Sequence, residues 1–414
     1  MLLAALILLG VTSSVSAETV IQMAVYDLDA ARWQAIADTF TATRPDIKVE
    51  VQFYPYEQYN DKIMSMVAAG TPPDVFLTWA QYKPLWVKFG FLADLTERWE
   101  SSPALKSMSV YPFMMEAATL GGRIYGIPYD YNSTIWFYDR DLFAERGLAE
   151  PGLDWTTDDH QELAKKLTDP QRGIYGTLNP LRGGGGHYIQ WMENWTGFGW
   201  LDETGTTVLV DAPGNAEMLQ YWYDLAYQHE VLPTPGSFAP RGNQYAGGYA
   251  MWQGWVTYAF RLSESAPYDW GVALYPKAPS GQRAFAQGHM YSMAADTKHP
   301  EEAWAFLEWM GSEQGQQVLV TQGNRQPIGP HPELWEKFFA PLPPSKREYL
   351  MLWLAEVLYG QNYVNNFSYW ETFPEMDRIM REHIARIFDL RQPIQNEMNA
   401  AAARMRAVLL ESTQ

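Results

Sequence analysis

Downstream of Glu18 the chain alternates between two hydrophobic periods. Val20-Ile21-Gln22-Met23-Ala24-Val25 is a nearly continuous apolar run of the kind that forms a strand buried on both faces. Trp33, Ile36, Ala37 and Phe40 then recur at helical spacing, and Arg44-Pro45-Asp46 closes that helix because the residue before a proline is pushed out of the helical region. Ile47, Val49, Val51 and Phe53 alternate strictly and predict a second strand. Ile63, Met66 and Val67 mark another helix, ended by Ala69-Gly70-Thr71-Pro72-Pro73, and Asp74-Val75-Phe76-Leu77 reads as a third strand. Strand, helix, strand, helix, strand predicts a doubly wound α/β unit on a parallel sheet. Ligands of such sheets bind beyond the carboxyl ends of the strands. That singles out the loops Tyr26-Asp27-Leu28-Asp29, Phe53-Tyr54-Pro55-Tyr56 and Thr78-Trp79-Ala80-Gln81.

Further along, the pattern is less decisive. Arg182, the glycine run Gly183-Gly184-Gly185-Gly186 and His187 read as a surface loop or flexible lid, and Trp191, Trp195 and Trp200 follow closely. The run lacks the Lys-Ser or Lys-Thr of a phosphate-binding loop. A clean helical face returns at Ala303, Phe306, Leu307 and Met310. From Pro374 to Leu410 the spacing of Ile379, Met380, Ile384 and Ile387 predicts terminal helices, broken at Arg391-Gln392-Pro393.

At the other end, Met1 to Val11 is apolar and uncharged, and Val15-Ser16-Ala17 resembles a cleavage site, so residues 1–17 are expected to be a secretory signal. The run is little more than half of the roughly 20 residues that a membrane span requires. No Lys or Arg precedes it. The sequence holds no cysteine, which excludes disulfides, thiolate metal sites, thiol nucleophiles and a lipid-modified cysteine. An exported protein without that anchor is expected free in a periplasm. A formal charge of -18 argues against nucleic acid as a partner. Aromatic residues make up 15% of the chain against 19% for all charged residues, a surplus suited to the C–H faces and hydroxyl rims of sugars.

Several segments, taken in order, carry a resemblance. They are Gly70-Thr71-Pro72-Pro73-Asp74-Val75-Phe76, Gly122-Arg123-Ile124-Tyr125-Gly126-Ile127-Pro128, and Tyr138-Asp139-Arg140-Asp141-Leu142-Phe143. Gly247 to Trp255, Gly271 to Pro276, Glu301 to Leu307 and Gly323 to Ile328 follow. Together they resemble the extracellular solute-binding proteins of ATP-driven (ABC) importers, in the sugar-binding group that includes maltose-binding protein. The resemblance implies an α/β, two-lobe periplasmic binding protein fold with discontinuous lobes, a central ligand cleft and a helical C-terminal segment. One lobe is expected to comprise residues 18–129 and 290–330, the other 130–289 and 331–414. The chain would cross between lobes near Tyr129-Asp130-Tyr131, Gly288-His289 and Gly329-Pro330. The implied partners are a carbohydrate and the membrane permease subunits of the importer, with a monomeric protein, no cofactor and no metal.

Within that frame, Tyr26 and Asp27 close the first strand toward the cleft; Asp27 either accepts from a sugar hydroxyl or caps the next helix. Trp79 is either a ligand contact or a packing residue. Tyr129, Asp130 and Asn132 lie at the first crossing, where Asp130 either binds vicinal hydroxyls or pairs with an arginine to hold the hinge. Gln253 and Trp255 resemble the segment that supplies a stacking wall from the second lobe, with Trp195 a further aromatic candidate. Gly288 would let ligand approach the backbone, His289 either donates to a hydroxyl or is a structural histidine, and Arg325 either lies near the cleft edge or serves a surface or salt-bridge role. Arg182, His187 and Arg325 together would suit an anionic sugar. Two other classes fit the same composition: an exported glycoside hydrolase, and a binding protein that signals to a chemoreceptor. Hydrolysis needs two carboxylates roughly 5 to 10 Å apart, and no motif here pairs two of them.

Overall fold

A computed structural model describes residues 18–412 except 27–29, 56–57, 184, 203, 360–362 and 365–370. The strands are β1 (Thr19–Val25), β2 (Ile47–Phe53), β3 (Val75–Trp79), β4 (Thr119–Leu120), β5 (Arg123–Ile124), β6 (Ile127–Asp139), β7 (Tyr175–Thr177), β8 (Tyr249–Trp255), β9 (Trp270–Ala273), β10 (Ala284–Met293) and β11 (Tyr363–Val364). The first three strands fall where the hydrophobic pattern predicts them. β1 pairs in parallel with both β2 and β3, and the helices Ala30–Thr43 and Tyr59–Ala68 supply the crossovers.

Two long strands extend this sheet. β10 runs antiparallel to β3 on one side and to β6 on the other, giving the order β2-β1-β3-β10-β6-β8-β7. The register of β10 against β6 sets Ser133 opposite Ala286, Tyr131 opposite Gly288 and Asp130 opposite His289, then shifts at a bulge between His289 and Met290. Extra residues in a ladder bend and twist a strand, so the bend falls where two expected crossings meet.

Buried side chains form two hydrophobic clusters, and these long strands pass from one to the other. Tyr129 belongs to the cluster around β1 to β3, whereas Tyr131 belongs to the second. Met290 and Phe285 divide in the same way. The clusters also adjoin at Leu319 and Val320, within the helix Glu313–Thr321 and ahead of the expected crossing at Gly329-Pro330. The second cluster includes the helices Gly185–Thr196, Pro213–Tyr227, Phe373–Leu390 and Ile394–Ser412. The last two bear out the helical tail, broken at Arg391 to Pro393 as its sequence pattern predicts. No helix among the described residues is long and apolar enough to cross a membrane.

The glycine run departs from expectation. Gly185 and Gly186 open the helix Gly185–Thr196 instead of forming a lid. Tyr188, Ile189, Trp191 and Met192 bury one side of that helix, with the Trp191 ring 4.9 Å from Trp222. A Cβ on Gly186 would stand 2.2 Å from the Phe285 ring, so glycine is required for this helix to seat on β10.

Candidate ligand-binding cleft

β10 organises the site because its two faces differ. Side chains alternate along a strand, and the sequence Ala284-Phe285-Ala286-Gln287-Gly288-His289 places small residues on one face and large ones on the other. The small face packs against the helix Pro112–Ala118. A Cβ on Gly288 would stand 2.8 Å from the Ala117 Cβ and 3.1 Å from the Met114 sulfur. This close packing accounts for the glycine, in place of an approach by ligand to its backbone.

The large face carries Phe285, Gln287 and His289 in a line of about 14 Å. At one end His289 lies opposite Trp79 of β3 in the backbone ladder. The Trp79 ring is 5.3 Å from Tyr26 and 5.7 Å from Tyr82, so the ends of β1 and β3 supply an aromatic wall. In the middle, the Gln287 amide donates to Gln81, two residues beyond Trp79. At the other end the Phe285 ring lies 5.6 Å from Trp255 and 5.7 Å from His187. Trp255, at the end of β8, keeps part of its ring exposed. The line therefore joins an aromatic wall on each hydrophobic cluster through amide and imidazole groups.

Asp130 and Arg325 are brought together. Their charged groups are 3.6 Å apart, both side chains are largely buried, and the guanidinium also lies over the Trp33 ring at 5.2 Å. The Gln326 backbone N–H donates to Asp130 at 3.3 Å. Burial pushes the Asp130 carboxyl up to about 7 although the Arg325 charge pulls it down. The geometry is that of a buried pair between Arg325 and a strand carboxylate, with Asp130 only 4% exposed. Tyr129 is enclosed between Trp33 and Tyr291, at ring separations of 6.0 and 4.3 Å, and lies within the core. His289 is buried with no hydrogen-bond partner at Nδ1 among the described residues, and burial plus the Arg325 charge lowers its imidazole to about 3.

Gln253 sits in a closed network. Its Oε1 accepts from Trp191 Nε1 at 3.1 Å, and its Nε2 donates to Gln190 Oε1 at 3.3 Å and contacts His187 Nδ1. The amide is thus occupied by protein groups. Trp195 packs on Tyr221 at 5.3 Å, two helical turns from His187, and is not gathered with Trp255. Asp27 lies outside the described residues, as does the side chain of Asn132, whose backbone pairs with Gln287. The anionic grouping of Arg182, His187 and Arg325 does not assemble. Arg182 pairs with Asp389, Arg325 with Asp130, and His187 stands beside Trp255.

Sequence reasoning missed Phe285 and Gln287; it placed Gln81 in a ligand-facing loop without a role of its own, and set His187 with Arg182 and Arg325 for an anionic sugar. The signal for Phe285 and Gln287 was the small–large alternation from Ala284 to His289, which sets two differently packed faces on a strand whose residues are all buried. Among the described residues, no group of three or more His, Asp or Glu is placed to hold a metal ion.

Comparison with known proteins bears on the family and the fold. The model of the family described as bacterial extracellular solute-binding protein matches residues 27–317. A Streptomyces antibioticus protein named as an uncharacterized lipoprotein is 26% identical over 291 residues, 68% of this chain and 63% of its own length. The arabinooligosaccharide-binding protein of Halalkalibacterium halodurans is 25% identical over 305 residues, 70% of this chain and 66% of its own. The match thus spans just under two thirds of each relative. Among solved structures, an ABC substrate-binding protein of Listeria monocytogenes in complex with cycloalternan superposes with a TM-score of 0.85 at 20% identity, covering 95% of this chain and 99% of that one. A maltose-bound T. maritima protein gives 0.78 at 20% identity, covering 94% and 99%. The fold is that of the two-lobe solute-binding proteins.

Proposed function

Because the chain belongs to the bacterial extracellular solute-binding protein family, we propose that it captures a carbohydrate between two lobes and delivers it, unchanged, to an ABC importer. The observation that carries this reading is the large face of β10, where Phe285, Gln287 and His289 connect the Tyr26–Trp79 wall to the Trp255 wall. Aromatic rings offer flat apolar surfaces to sugar C–H faces, while amides and neutral imidazoles exchange hydrogen bonds with hydroxyls. Among the described residues, Asp130 and Arg325 beside this face pair with each other, and Arg381, which acts on His187, pairs with Asp377. That favours an uncharged sugar. Relatives named for binding arabinooligosaccharides, and structural neighbours holding maltose or cycloalternan, support the same class.

The lobes divide near residues 129/130, 289/290 and 330/331; at the first two, β6 and β10 pass between the two hydrophobic clusters. Bending at the β6–β10 bulge would bring the walls together, exclude water and form the surface that permease subunits read. Tyr26, Trp79, Trp255 and His289 are assigned to ligand contact, Asp130 and Arg325 to the hinge. We take the protein to act as a monomer in the periplasm; the lack of cysteine in the sequence supports a form without an acyl anchor, although one relative is named a lipoprotein. Intrinsic tryptophan fluorescence, titrated with arabinotriose, maltotriose and mannitol, tests the reading. A saturable change with one of them is expected, and reducing ends that accumulate with time would overturn delivery of an intact sugar.

A further inference from the structure

Trp191 fixes more than packing. An indole N–H only donates, so Gln253 Oε1, 3.1 Å from Trp191 Nε1, must be the oxygen of that amide and not its nitrogen. A second constraint agrees. Gln190 spends its own Nε2 on the Arg283 carbonyl at 2.8 Å, which leaves Gln190 Oε1 to accept from Gln253 Nε2. Gln253 Nε2 is therefore a donor, and its remaining hydrogen points at His187 Nδ1. A nitrogen that accepts cannot carry a proton. The ring proton of His187 must then reside on Nε2, at the edge turned away from Gln253.

We infer that His187 is a ligand-contacting residue, locked as the Nε2–H tautomer by Gln253 and Trp191, that donates from beside Trp255 to an oxygen of an uncharged sugar. This inference rests on the carbohydrate reading above. Its geometry is independent of it: the His187 ring is half-buried, 5.4 Å from Trp255 and 5.7 Å from Phe285, at the end of the β10 line. Gln253, Gln190 and Trp191 are positioning residues because their polar atoms are used within the protein. Among the described residues, the charged group that acts on His187 is Arg381, from the helix Phe373–Leu390, while β8 and β10 bring Trp255 and Phe285. Burial and that charge lower the imidazole to about 4, so the neutral donor persists across ordinary pH. A doubly protonated ring would turn a second donor against the Gln253 amide.

The test uses the full chain with 15N-labelled histidine and long-range proton–nitrogen correlation at pH 7, the His187 signals being identified by their loss in His187→Gln. Protonated Nε2 and bare Nδ1 are expected, and Trp191→Phe should give a mixture of tautomers because the amide loses the donor that orients it. In parallel, His187→Ala should weaken binding of arabinotriose or maltotriose, whichever the natural chain binds, by at least tenfold, with His187→Gln recovering part of the loss. A proton on Nδ1, or His187→Ala binding within twofold of the natural chain, would overturn the inference. Failure of the natural chain to bind either sugar would overturn the carbohydrate reading and the contact with it, leaving the tautomer as measured.

Discussion

Replacing Arg325 by methionine keeps a long apolar stem over Trp33 but strands the Asp130 carboxyl without its cation. The ordinary value of 3.8 for that carboxyl is already raised to about 7 by burial in the intact pair. A folded-state value above the unfolded one means that the folded chain holds this proton more tightly. The associated stability is fully present below about pH 4 and is lost as pH rises toward 7. At about 1.4 kcal/mol per unit, the loss amounts to about 4 kcal/mol, and above pH 7 it stops growing. Without Arg325 the carboxyl rises further, so the loss continues beyond 7. The variant should trail the natural chain by about 1 kcal/mol at pH 5, from the lost cation–ring contact. The gap should widen by about 2 kcal/mol, to about 3 kcal/mol at pH 8.5, the lower end of the roughly 3–5 kcal/mol typical of a broken buried pair. Urea unfolding followed by circular dichroism at both pH values measures the difference, in which titrations far from Arg325 cancel. An equal gap at pH 5 and pH 8.5 would refute the assignment of a buried, hinge-holding pair.

Three other outcomes follow from particular contacts. Trp255→Ala should weaken sugar binding by about 1–3 kcal/mol with little change in melting temperature if the ring stacks on the ligand, as read by calorimetry. Gly288→Ala should cost about 1–3 kcal/mol in denaturant unfolding, because the new methyl group meets Ala117 and Met114 at the back of β10. His160 is buried between Tyr221 and Thr177, and burial lowers its imidazole to about 3 from an ordinary 6.5. The unfolded chain takes up that proton first, so stability present above pH 6.5 is lost as pH falls, by up to about 1.4 kcal/mol per unit. His160→Gln should flatten that acid limb of the stability curve, whatever its cost at pH 7.

Local periodicity was enough for the first three strands and the terminal helices, since each buries one continuous apolar stripe or run. It failed at Gly185 and Gly186, where four glycines resemble a loop but the Phe285 ring demands a residue without a Cβ at the helix start. It also passed over β10. Every residue of that strand is buried, so the contrast that matters is one of size, with Ala284, Ala286 and Gly288 set against Phe285, Gln287 and His289. Asp130 and Arg325 are 195 positions apart in sequence, and only the fold shows that each is the other's counter-ion. Gln253 shows the same limit from the other side. A polar residue beside a stacking tryptophan reads as a ligand contact, yet its amide is already committed to Trp191, Gln190 and His187.

The central claim is capture of an uncharged sugar without chemistry, and isothermal calorimetry of the purified chain with neutral oligosaccharides and their uronate counterparts tests it most directly. The expected result is one-to-one saturation by a neutral sugar, heat returning to baseline after each injection, and much weaker binding of the uronate. Tighter binding of the uronate, no binding of any neutral sugar, or heat that continues to flow after saturation would contradict it.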